Sequence, residues 1–491
     1  MSRVVVIGAG LAGLTAACHL VGRGHEVTVL EREDGPGGRA RSVTRDGFTF
    51  DLGPVVMTMP QLVESALAAA GSSLADLPMR RLDPAYRGVF ADGSEILVRY
   101  GHDAMREEIR EKSGEKDAAN FDSFVAWLKQ LYDVEMGNFI DKNFDSALGL
   151  VEKPTAGLTL LRLRALGKLG PAVRRYFDDT RLHRLFTFQA LYAGLPPETA
   201  LSLYAVITYM DSIEGVWFPD GGMGAIPAAL ERAAKGAGVE FRYGTTVTGL
   251  TCRPGGAVAG VVVGDDVVPA DAVVATPDLP IVYDQWLADV APPRAVRKGT
   301  YSPSAVVWHV GAKGRPVPHT EHHNIHFGDQ WNESFDALMG SKTLQPDPSR
   351  LVTVPTLSEP GMAPEGHSTL YVLEPVPNLQ GPLDWRREAG PMRDRLHAFL
   401  GANGYPTEVV AEEFVTPLDW QAQGMAHGTP FALAHTFAQT GPFRPSNVEK
   451  RVPGLVFAGS GTIPGVGVPM VLVSGKLAAD RVDVYTRGRR R

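Results

Sequence analysis

Gly8, Gly10 and Gly13 stand in the spacing G-x-G-x-x-G directly after the short apolar run "RVVVIG". This spacing permits a tight turn, close approach of a pyrophosphate to the backbone, and close packing of a helix on a strand. Glu31 ends the next run, "HEVTVLE", where a carboxylate can accept a hydrogen bond from a ribose hydroxyl and would repel a 2′-phosphate. The pattern predicts a dinucleotide site and disfavours NADP.

A second glycine pair follows Glu31 in the stretch "REDGPGGRARSV". Gly37 and Gly38 permit another close approach of a ligand to the backbone, and Arg39 adds a guanidinium whose geometry suits phosphate oxygens. A surface hairpin at "DGPGG" is the structural alternative. From these residues alone the dinucleotide is either NAD or FAD.

Four more glycines lie near the other end of the chain, in "AGSGTIPGVGVPM" at residues 458–470. Apart from two hydroxyls, this stretch offers no side chain that could do chemistry. A glycine-rich turn that caps a terminal helix would explain it. The other interpretation is that a ligand lies against this backbone as well.

A strand, a helix and a second strand must position the first motif. "RVVVIG" and "HEVTVLE" are β-branched runs, and "LAGLTAACHLVGRG" between them has helical periodicity. Such a βαβ unit predicts a doubly wound parallel sheet. The pattern turns largely helical from about residue 103 to 210, predicts a small meander over 239–278, and returns to strands at "SAVVWHVGA", "RLVTVPTLS" and "TLYVLEPVP". We therefore expect an α/β fold with a Rossmann-type domain and a mixed α+β domain.

Composition and charge limit the possible functions. At 491 residues the chain exceeds what one core usually supports, which predicts two domains. A net charge of −7 without basic blocks argues against nucleic acid as a partner. Cys18 and Cys252 are too few for a disulfide framework, which fits a cytoplasmic protein. No apolar stretch reaches the roughly 18 to 20 residues of a spanning helix, so we expect any membrane contact to be peripheral.

The following residues resemble the FAD-dependent amine oxidase and carotenoid desaturase superfamily. In that superfamily the acid and the G-G-R segment precede a G-x-x-x-D-x-G loop, here Gly47, Asp51 and Gly53. The resemblance implies FAD rather than a nicotinamide, with Glu31 on the adenosine ribose. It implies cofactor contacts at Gly8, Gly10, Ala12, Gly13, Glu31, Arg32, Gly38, Arg39, Gly53, Pro54, Val247, Gly459, Ser460, Gly467, Val468 and Pro469.

The same resemblance gives the glycines near the end of the chain a role. It implies that backbone amides run beneath the pyrophosphate, ribityl chain and flavin ring at Gly459, Gly461, Gly465 and Gly467. The helix that follows would direct its positive end at the flavin.

Longer blocks resemble the bacterial and fungal type of carotenoid desaturase, the phytoene desaturase group. They are "EGVWFPDGGMGAIPAAL", "HHNIHFGDQWNESF", "VPTLSEPGMAPEGHSTLYVLEPVPN" and "GPFRPSN", and with the opening stretch they cover nearly the whole chain. Ser460 and Ile463 depart from the family pattern, which has alanine and histidine there. Asp220 stands where many members carry Arg or Lys, and we expect this departure to bear on substrate choice or acceptor access.

The resemblance implies an oxidoreductase that desaturates an acyclic carotenoid, in the first place phytoene. Hydride would pass from a substrate C–H bond to flavin N5 with loss of a neighbouring proton, and a quinone or oxygen would reoxidise the flavin. Because a hydrocarbon offers no polar handle, we expect an apolar tunnel that excludes water. Three alternatives remain open. They are another carotenoid or prenyl-chain flavoenzyme (isomerase, oxidase or later-stage desaturase), an amine or porphyrinogen oxidase, and a non-catalytic prenyl-binding relative.

The sequence does not single out a catalytic residue. G-x-S-x-G, H-E-x-x-H and C-x-x-C motifs are all absent, so we expect the cofactor to carry the reaction. Candidate proton acceptors or orienting groups are Glu214, Asp220, His309 and His323, and a purely structural role would explain each of them equally well. Histidines crowd between residues 309 and 326 without cysteine or regular ligand spacing, so we expect no metal site.

The stretch 155–177 is rich in both leucine and basic residues. It contains no Asp or Glu, and its basic residues are Arg162, Arg164, Lys168, Arg174 and Arg175. The pattern predicts two interfacial helices, broken near Pro171, that dock on anionic lipid at the inner face of the membrane and admit a lipid-dissolved substrate. A solvated basic face over a buried leucine stripe is the alternative.

These expectations divide the chain into two domains. Residues 1–85, 215–295 and 440–491 are expected to form a discontinuous FAD-binding domain. Residues 86–214 and 296–439 are expected to form the substrate-binding domain, including its helical, membrane-associating part.

Overall fold

The structure is a computed structural model that describes residues 1–146 and 154–488. The strands are β1 (Arg3–Ile7), β2 (Glu26–Leu30), β3 (Ser42–Arg45), β4 (Phe48–Asp51), β5 (Met79–Arg81), β6 (Tyr86–Val89), β7 (Glu95–Val98), β8 (Trp217–Pro219), β9 (Glu240–Arg242), β10 (Gly249–Cys252), β11 (Val258–Val263), β12 (Asp266–Pro269), β13 (Ala272–Ala275), β14 (Ser304–Lys313), β15 (His323–His326), β16 (Arg350–Thr353), β17 (His367–Val376), β18 (Glu408–Val415) and β19 (Leu455–Phe457). The α-helices are α1 (Leu11–Gly22), α2 (Pro60–Ala69), α3 (His102–Ser113), α4 (Glu115–Glu135), α5 (Pro154–Arg162), α6 (Leu169–Val173), α7 (Thr180–Leu185), α8 (Ala205–Thr208), α9 (Ala225–Gly236), α10 (Leu279–Gln285), α11 (Arg294–Lys298), α12 (Trp331–Phe335), α13 (Trp385–Ala402), α14 (Pro417–Ala422) and α15 (Val468–Gly488).

β-Branched residues build a parallel sheet in the order β19-β13-β1-β2-β9. Val4 and Val6 of β1 belong to the core that α1, α9 and α15 cover, whereas Val5 and Ile7 belong to the core on the opposite face. Both faces of β1 are apolar, because a parallel sheet is buried on both sides. Strands β1 and β2 are parallel and joined by α1, so the predicted βαβ unit and Rossmann-type fold are confirmed.

An antiparallel meander, β10-β11-β12, packs with α10 against the second face of the parallel sheet. The sequence predicted that the meander spans residues 239–278. The first and last strands of that stretch, β9 and β13, instead join the parallel sheet. β13 is buried at all four positions, as expected of a strand covered on both faces, and its short apolar run did not indicate which sheet it would join.

The larger sheet is mixed and has the order β18-β14-β17-β16-β15-β6-β7. Its strand pairs are antiparallel apart from β15 with β6. Met392, Leu396 and Leu400 of α13 pack with Trp308 and Val310 of β14 on one face of this sheet. The runs predicted as strands near residues 304, 350 and 367 are β14, β16 and β17.

Helices α3 to α8 occupy the chain between β7 and β8, as the sequence predicted. The basic stretch forms α5 and α6, but the break between them falls at residues 163–168 rather than near Pro171. Pro171 lies in the first turn of α6, where its missing N–H removes no helical hydrogen bond. Arg164 adopts a left-handed conformation, with φ of 56°, within the break. Two π-helical turns, Met136–Ile140 and Tyr209–Ile213, follow α4 and α8.

The two ends of the chain meet where α15 packs on α1. Gly475 of α15 lies so close to α1 that a Cβ there would overlap Ala12 O and lie 3.0 Å from Ala16 N. Arg23 at the end of α1 forms an ion pair with Asp480 of α15. Strands β1 and β19 are parallel members of one sheet, so the glycine turns that follow them lie at the same edge.

The strands of the two large sheets come from different parts of the sequence. The parallel sheet takes its strands from residues 1–85, 215–295 and 440–491. The mixed sheet takes its strands from residues 86–214 and 296–439. The division into a cofactor domain and a substrate domain stays a prediction, to which we return below.

We expect Gly475→Ala to destabilise the protein, because the added methyl would meet the backbone of α1. Overpacking of this kind costs about 1–3 kcal/mol, which outweighs the gain of about 0.5–1 kcal/mol from replacing a helical glycine by alanine. Gly401→Ala in α13 is the matched control, since its Cβ would make only an ordinary 3.6 Å contact with Thr407 Cγ2. Urea unfolding of the two variants checks the prediction, which fails if Gly475→Ala is as stable as Gly401→Ala.

Candidate functional site

A deep cavity of about 860 Å³ is lined by the edge of the parallel sheet, the mixed sheet and the helical region. We call the part beside the turns that follow β1, β2 and β19 the glycine-lined part. The remainder, the apolar part, is walled by side chains such as Phe188, Leu191, Phe327, Phe335, Leu351 and Leu373. The cavity therefore joins a region of exposed backbone to a region of hydrocarbon.

The first glycine turn (residues 8–13) uses its three glycines differently. Gly8 has φ of +99° and lies against Thr276, and a Cβ on Gly13 would overlap Gly8 O. Gly13 therefore serves helix-to-strand packing and does not line the cavity. A Cβ on Gly10 would have only Gly37 O nearby, at 4.0 Å, so this backbone is open to a ligand. Helix α1 begins after Gly10 without a side-chain cap, which leaves its first amides available to an anion.

Glu31 lies at the end of β2, lines the cavity, and is 6% exposed. Its Oε2 accepts a hydrogen bond from Ala9 N at 2.6 Å, and its Oε1 accepts one from Glu33 N at 2.9 Å. These bonds fix the carboxylate, and each oxygen keeps a lone pair for a further donor such as a ribose hydroxyl. Arg32 lines the cavity at the surface and donates to Gln423 O at 2.7 Å.

Arg39 joins the segment after β2 to the segment before α15. Its Nη2 donates to Ser460 Oγ at 3.0 Å, and its Nη1 donates to Pro430 O. A Cβ on Gly53 would overlap Arg39 O, so the G-x-x-x-D-x-G loop packs directly on this arginine. Two guanidinium N–H groups are thus engaged within the protein while the side chain lines the cavity.

The second glycine turn (residues 459–467) only partly follows the prediction. Gly459 and Gly467 line the cavity with φ of +113° and +109°, and a Cβ on Gly467 would have only Pro469 Cδ nearby, at 4.0 Å. Gly461 packs on Leu279, and Gly465 packs beneath the ring of His435, whose Nε2 would lie 2.5 Å from a Cβ. These two glycines are outside the cavity lining, and their predicted place beneath the cofactor stays a prediction.

Most residues predicted to contact the cofactor line this one cavity. They are Gly8, Gly10, Ala12, Glu31, Arg32, Gly38, Arg39, Gly53, Pro54, Val247, Gly459, Ser460, Gly467, Val468 and Pro469. They come from both ends and the middle of the chain, so the fold brings together positions that the sequence separates widely.

The four candidate catalytic residues lie outside the cavity lining. Glu214 is half-buried and hydrogen-bonded with Tyr132, and burial raises the pKa of its carboxyl. Asp220 is exposed and pairs with Arg80 at 2.7 Å, so nothing places it against substrate. Both residues were selected by type, and their positions favour structural roles.

His309 and His323 are buried within the mixed sheet, at 1% and 0% exposure. Burial lowers the pKa of His309 to about 3 and the pKa of His323 well below its usual value. His323 Nδ1 is 2.8 Å from Thr353 Oγ1. Within residues 1–146 and 154–488, no group of three or more His, Cys, Asp or Glu side chains is placed to hold a metal ion.

Sequence reasoning missed the buried cation beside the second glycine turn. Arg444 is 2% exposed and donates to the carbonyl oxygens of Ser460, Thr462, Leu433 and Gln439. Burial lowers the pKa of its guanidinium to about 10, so the group remains charged at neutral pH. Its block, "GPFRPSN", had been recognised only as part of the resemblance.

Sequence reasoning also missed two buried acids on the cavity wall, Glu135 and Asp211. Burial raises the pKa of Asp211 to about 7, although Ser212, Gln189 and Tyr86 donate hydrogen bonds to it. Burial raises the pKa of Glu135 well above its usual value. Neither acid belongs to a sequence motif, and each lies beside or within a π-helical turn.

The parallel sheet, the first glycine turn and the acid at the end of β2 define a dinucleotide-binding protein of the Rossmann class. The chain belongs to the family described as flavin containing amine oxidoreductase, which matches residues 11–483. It is 49% identical to the phytoene dehydrogenase of Streptomyces griseus, over 98% of this chain and 95% of that protein. It is 37% identical to the zeta-carotene-forming phytoene desaturase of Myxococcus xanthus, over 98% of this chain and 94% of that protein. The crystal structure of an oxidoreductase from Methanosarcina mazei matches with a TM-score of 0.66 at 18% identity, over 97% of this chain and 100% of that one.

The glycine-lined part fits FAD, the cofactor to which the family membership points. Gly10 and Gly467 present backbone that no side chain covers, and α1 begins at the same place with free amides. The fixed carboxylate of Glu31 suits a ribose diol, and the guanidinium of Arg39, which lines the cavity, suits an anionic pyrophosphate.

We expect Gly10→Ala to fold normally but to bind FAD about tenfold or more weakly, because the methyl would occupy space that the cofactor needs, at a cost of about 1–3 kcal/mol. Gly10 has φ of −72°, so alanine adopts this backbone without strain. Gly35→Ala is the control, since its Cβ would have no neighbour within 4 Å and Gly35 is outside the cavity lining. Flavin absorbance per protein measures binding, and equal flavin content in the two variants would contradict the prediction.

Proposed function

We propose that the protein is an FAD-dependent desaturase whose substrate is an acyclic carotenoid, most specifically phytoene. The observation that carries the proposal is the continuity of the glycine-lined part with a long apolar part in one cavity. The relatives named phytoene dehydrogenase and phytoene desaturase support the substrate class and favour desaturation over the isomerase, oxidase and amine oxidase alternatives.

Each part of the cavity then has a separate task. Gly10, Glu31, Arg39 and Gly467 would hold FAD, which supplies a two-electron acceptor able to take up a hydride. The apolar walls bind the hydrocarbon by shape, exclude water, and restrict which C–H bond approaches the cofactor. A quinone or oxygen completes the cycle as the electron acceptor.

We extend the proposal to the domain organisation. The cofactor domain comprises residues 1–85, 215–295 and 440–491, and the substrate domain comprises 86–214 and 296–439. This division is supported by the distribution of the strands between the two sheets. It is also supported by the cavity, whose glycine-lined part comes mostly from the first set and whose apolar part comes mostly from the second.

We also propose that the substrate enters from an anionic membrane surface. Among the residues that the structure describes, no helix combines the length and apolarity needed to cross a bilayer. Large apolar side chains are nevertheless exposed on α5 and on the segment 437–443. They include Leu158 at 69%, Leu161 at 61%, Phe437 at 58% and Phe443 at 41% exposure. The rings of Phe437 and Phe443 also line the cavity, so this surface continues into its interior.

Basic side chains accompany these apolar ones. Arg162, Arg164, Lys168 and Arg175 are exposed, whereas the fifth predicted contact, Arg174, forms a double hydrogen bond with Glu198 at 2.5 and 2.8 Å. Within the part of the chain that the structure describes, the other four cations pair with no acid and remain for anionic headgroups. Exposed leucines, phenylalanines and these four cations together support interfacial docking over a solvated basic face.

The reaction is tested with purified FAD-loaded protein and phytoene dissolved in vesicles. We expect coloured polyenes whose mass falls by two hydrogens for each new double bond, and little product from Gly10→Ala. The Gly35→Ala variant serves as the active control. The proposal is contradicted if the wild-type protein leaves phytoene unchanged, or if it rapidly oxidises amines instead.

Docking is tested by pelleting with vesicles of zwitterionic lipid, with and without anionic lipid. Changing Arg162, Arg164 and Arg175 together to Gln should weaken binding to anionic vesicles by about a hundredfold, since each charge contributes about 1 kcal/mol. The matched control changes Arg294, Arg297 and Lys298, which are exposed on α11, to Gln. Equal pelleting of both triple variants would rule out this docking surface.

A further inference from the structure

A carboxyl group without a partner faces the cavity at the end of α4. Glu135 is the last residue of that helix, is 6% exposed, and lines the cavity beside Phe139, Val206 and Met210. Its Oε1 is fully buried and accepts no hydrogen bond from the described residues. Its side chain forms no ion pair with any of them either.

Packing alone does not account for an acid at this position. A buried polar group without a hydrogen bond is costly, and Leu or Met among the same apolar neighbours would avoid that cost. The desolvation that raises the pKa of Glu135 has no opposing hydrogen bond or cation. A buried, unpartnered carboxyl on the wall of a cavity indicates that a bound molecule uses it.

Packing connects the end of α4 to the second glycine turn. The next residue, Met136, packs in the same apolar cluster as Met470 of the first turn of α15. Tyr204, which interacts electrostatically with Glu135, donates a hydrogen bond to His435 O at 2.7 Å. The ring of His435 in turn packs on the second glycine turn.

Tyr204 and His435 connect Glu135 to the second glycine turn, and both are neutral near pH 7, because burial raises the pKa of Tyr204 and lowers that of His435. Other titratable or charged groups on the described elements near the last turn of α4 and its π turn are Tyr132, Asp133, Lys129, Tyr209, Asp211, Glu214, Arg162, Asp141 and Lys476. Lys129 pairs with Asp133, and Lys476 pairs with Asp141, so neither cation is directed at Glu135.

We infer that Glu135 is the catalytic residue that accepts the proton lost by the substrate. The inference rests on the proposed function. One substrate hydrogen leaves with two electrons to FAD, and the neighbouring hydrogen leaves as a proton. The electron pair of this second C–H bond becomes part of the new C=C bond, and an O–H bond forms on Glu135. The carboxyl then returns its proton to solvent before the next cycle.

Asp211 is a second buried acid on the cavity wall outside the glycine turns, and its surroundings differ. Ser212 Oγ donates to it at 2.7 Å, Gln189 Nε2 at 3.3 Å and Tyr86 OH at 3.4 Å. These donors occupy its oxygens and stabilise the carboxylate, which weakens it as a proton acceptor. Glu135 has no such bonds to break, and a carboxylate with a raised pKa is the stronger base.

The first test compares Glu135→Gln with the wild type in FAD-loaded form. Because the carboxyl must be ionised to accept a proton, wild-type desaturation should rise with pH. The infrared band of a protonated carboxyl should disappear with the same midpoint. Glu135→Gln should retain flavin, lack this band, lose the rising limb, and react roughly 100-fold or more slowly. Glu108→Gln is the matched control, a buried glutamate on α3 outside the cavity lining, and it should keep the wild-type rate.

The outcomes separate this inference from the proposed function. A wild-type protein that does not desaturate phytoene overturns both. If Glu135→Gln keeps the wild-type rate and pH profile, the inference fails while the proposed function stands. The inference also fails if Asp211→Asn loses the rise of the rate with pH and Glu135→Gln keeps it. Should Glu135→Gln fail to hold flavin, Glu135→Asp takes its place. If Glu135→Asp retains flavin and its desaturation rate falls at least about tenfold, the inference is supported. An unchanged rate in this variant overturns it.

Discussion

The backbone contact between α1 and α15 is the constraint on which the rest of the structure depends. Gly475 allows α15 to lie directly on α1, where any larger residue would meet Ala12. This contact, together with the adjacent strands β1, β13 and β19, places the two glycine turns at one edge of the parallel sheet. Gly10 and Gly467 can then expose backbone to the same cavity although they are 457 positions apart in the sequence. A cofactor site of this kind requires bare peptide groups, and only a rigid helix pair beneath them keeps such turns in place.

Two arginines hold the glycine turns from the other side. Arg39 and Arg444 bind Ser460 by its hydroxyl and by its carbonyl oxygen, respectively. Arg444 donates its hydrogen bonds to carbonyl oxygens and has no acidic partner among the described residues. A buried charge without a counterion is costly, and the four carbonyl oxygens that accept from Arg444 offset part of that cost. Arg444 thus orders the second glycine turn from outside the cavity lining, whereas Arg39 binds the same turn and also lines the cavity.

Local sequence patterns predicted the parts of the site that depend on local geometry. Gly8 and Gly10 after β1, Glu31 at the end of β2 and Gly467 before α15 follow from turn and helix chemistry, and these four residues line the cavity. At Gly465 the need for glycine comes from the ring of His435, which lies 30 residues away in sequence, so no local pattern could indicate that contact. His309 was selected by residue type alone. Its burial in the mixed sheet arises from strand pairing and the packing on both faces, which no local pattern reveals.

The two acids on the cavity wall show why local periodicity could not find them. A π turn adds a residue to a helical turn and rotates the following side chains away from the regular 3.6-residue pattern. One such turn, Met136–Ile140, directly follows Glu135, and the other, Tyr209–Ile213, contains Asp211. Asp211 lies inside its irregular turn, whereas Glu135 is the last residue of the regular helix α4, and both line the cavity. Desaturation of a hydrocarbon requires that wall to be dry, yet the departing proton needs a base within it. Glu135, held at the end of α4 on the cavity wall, would meet both requirements as the proposed proton acceptor.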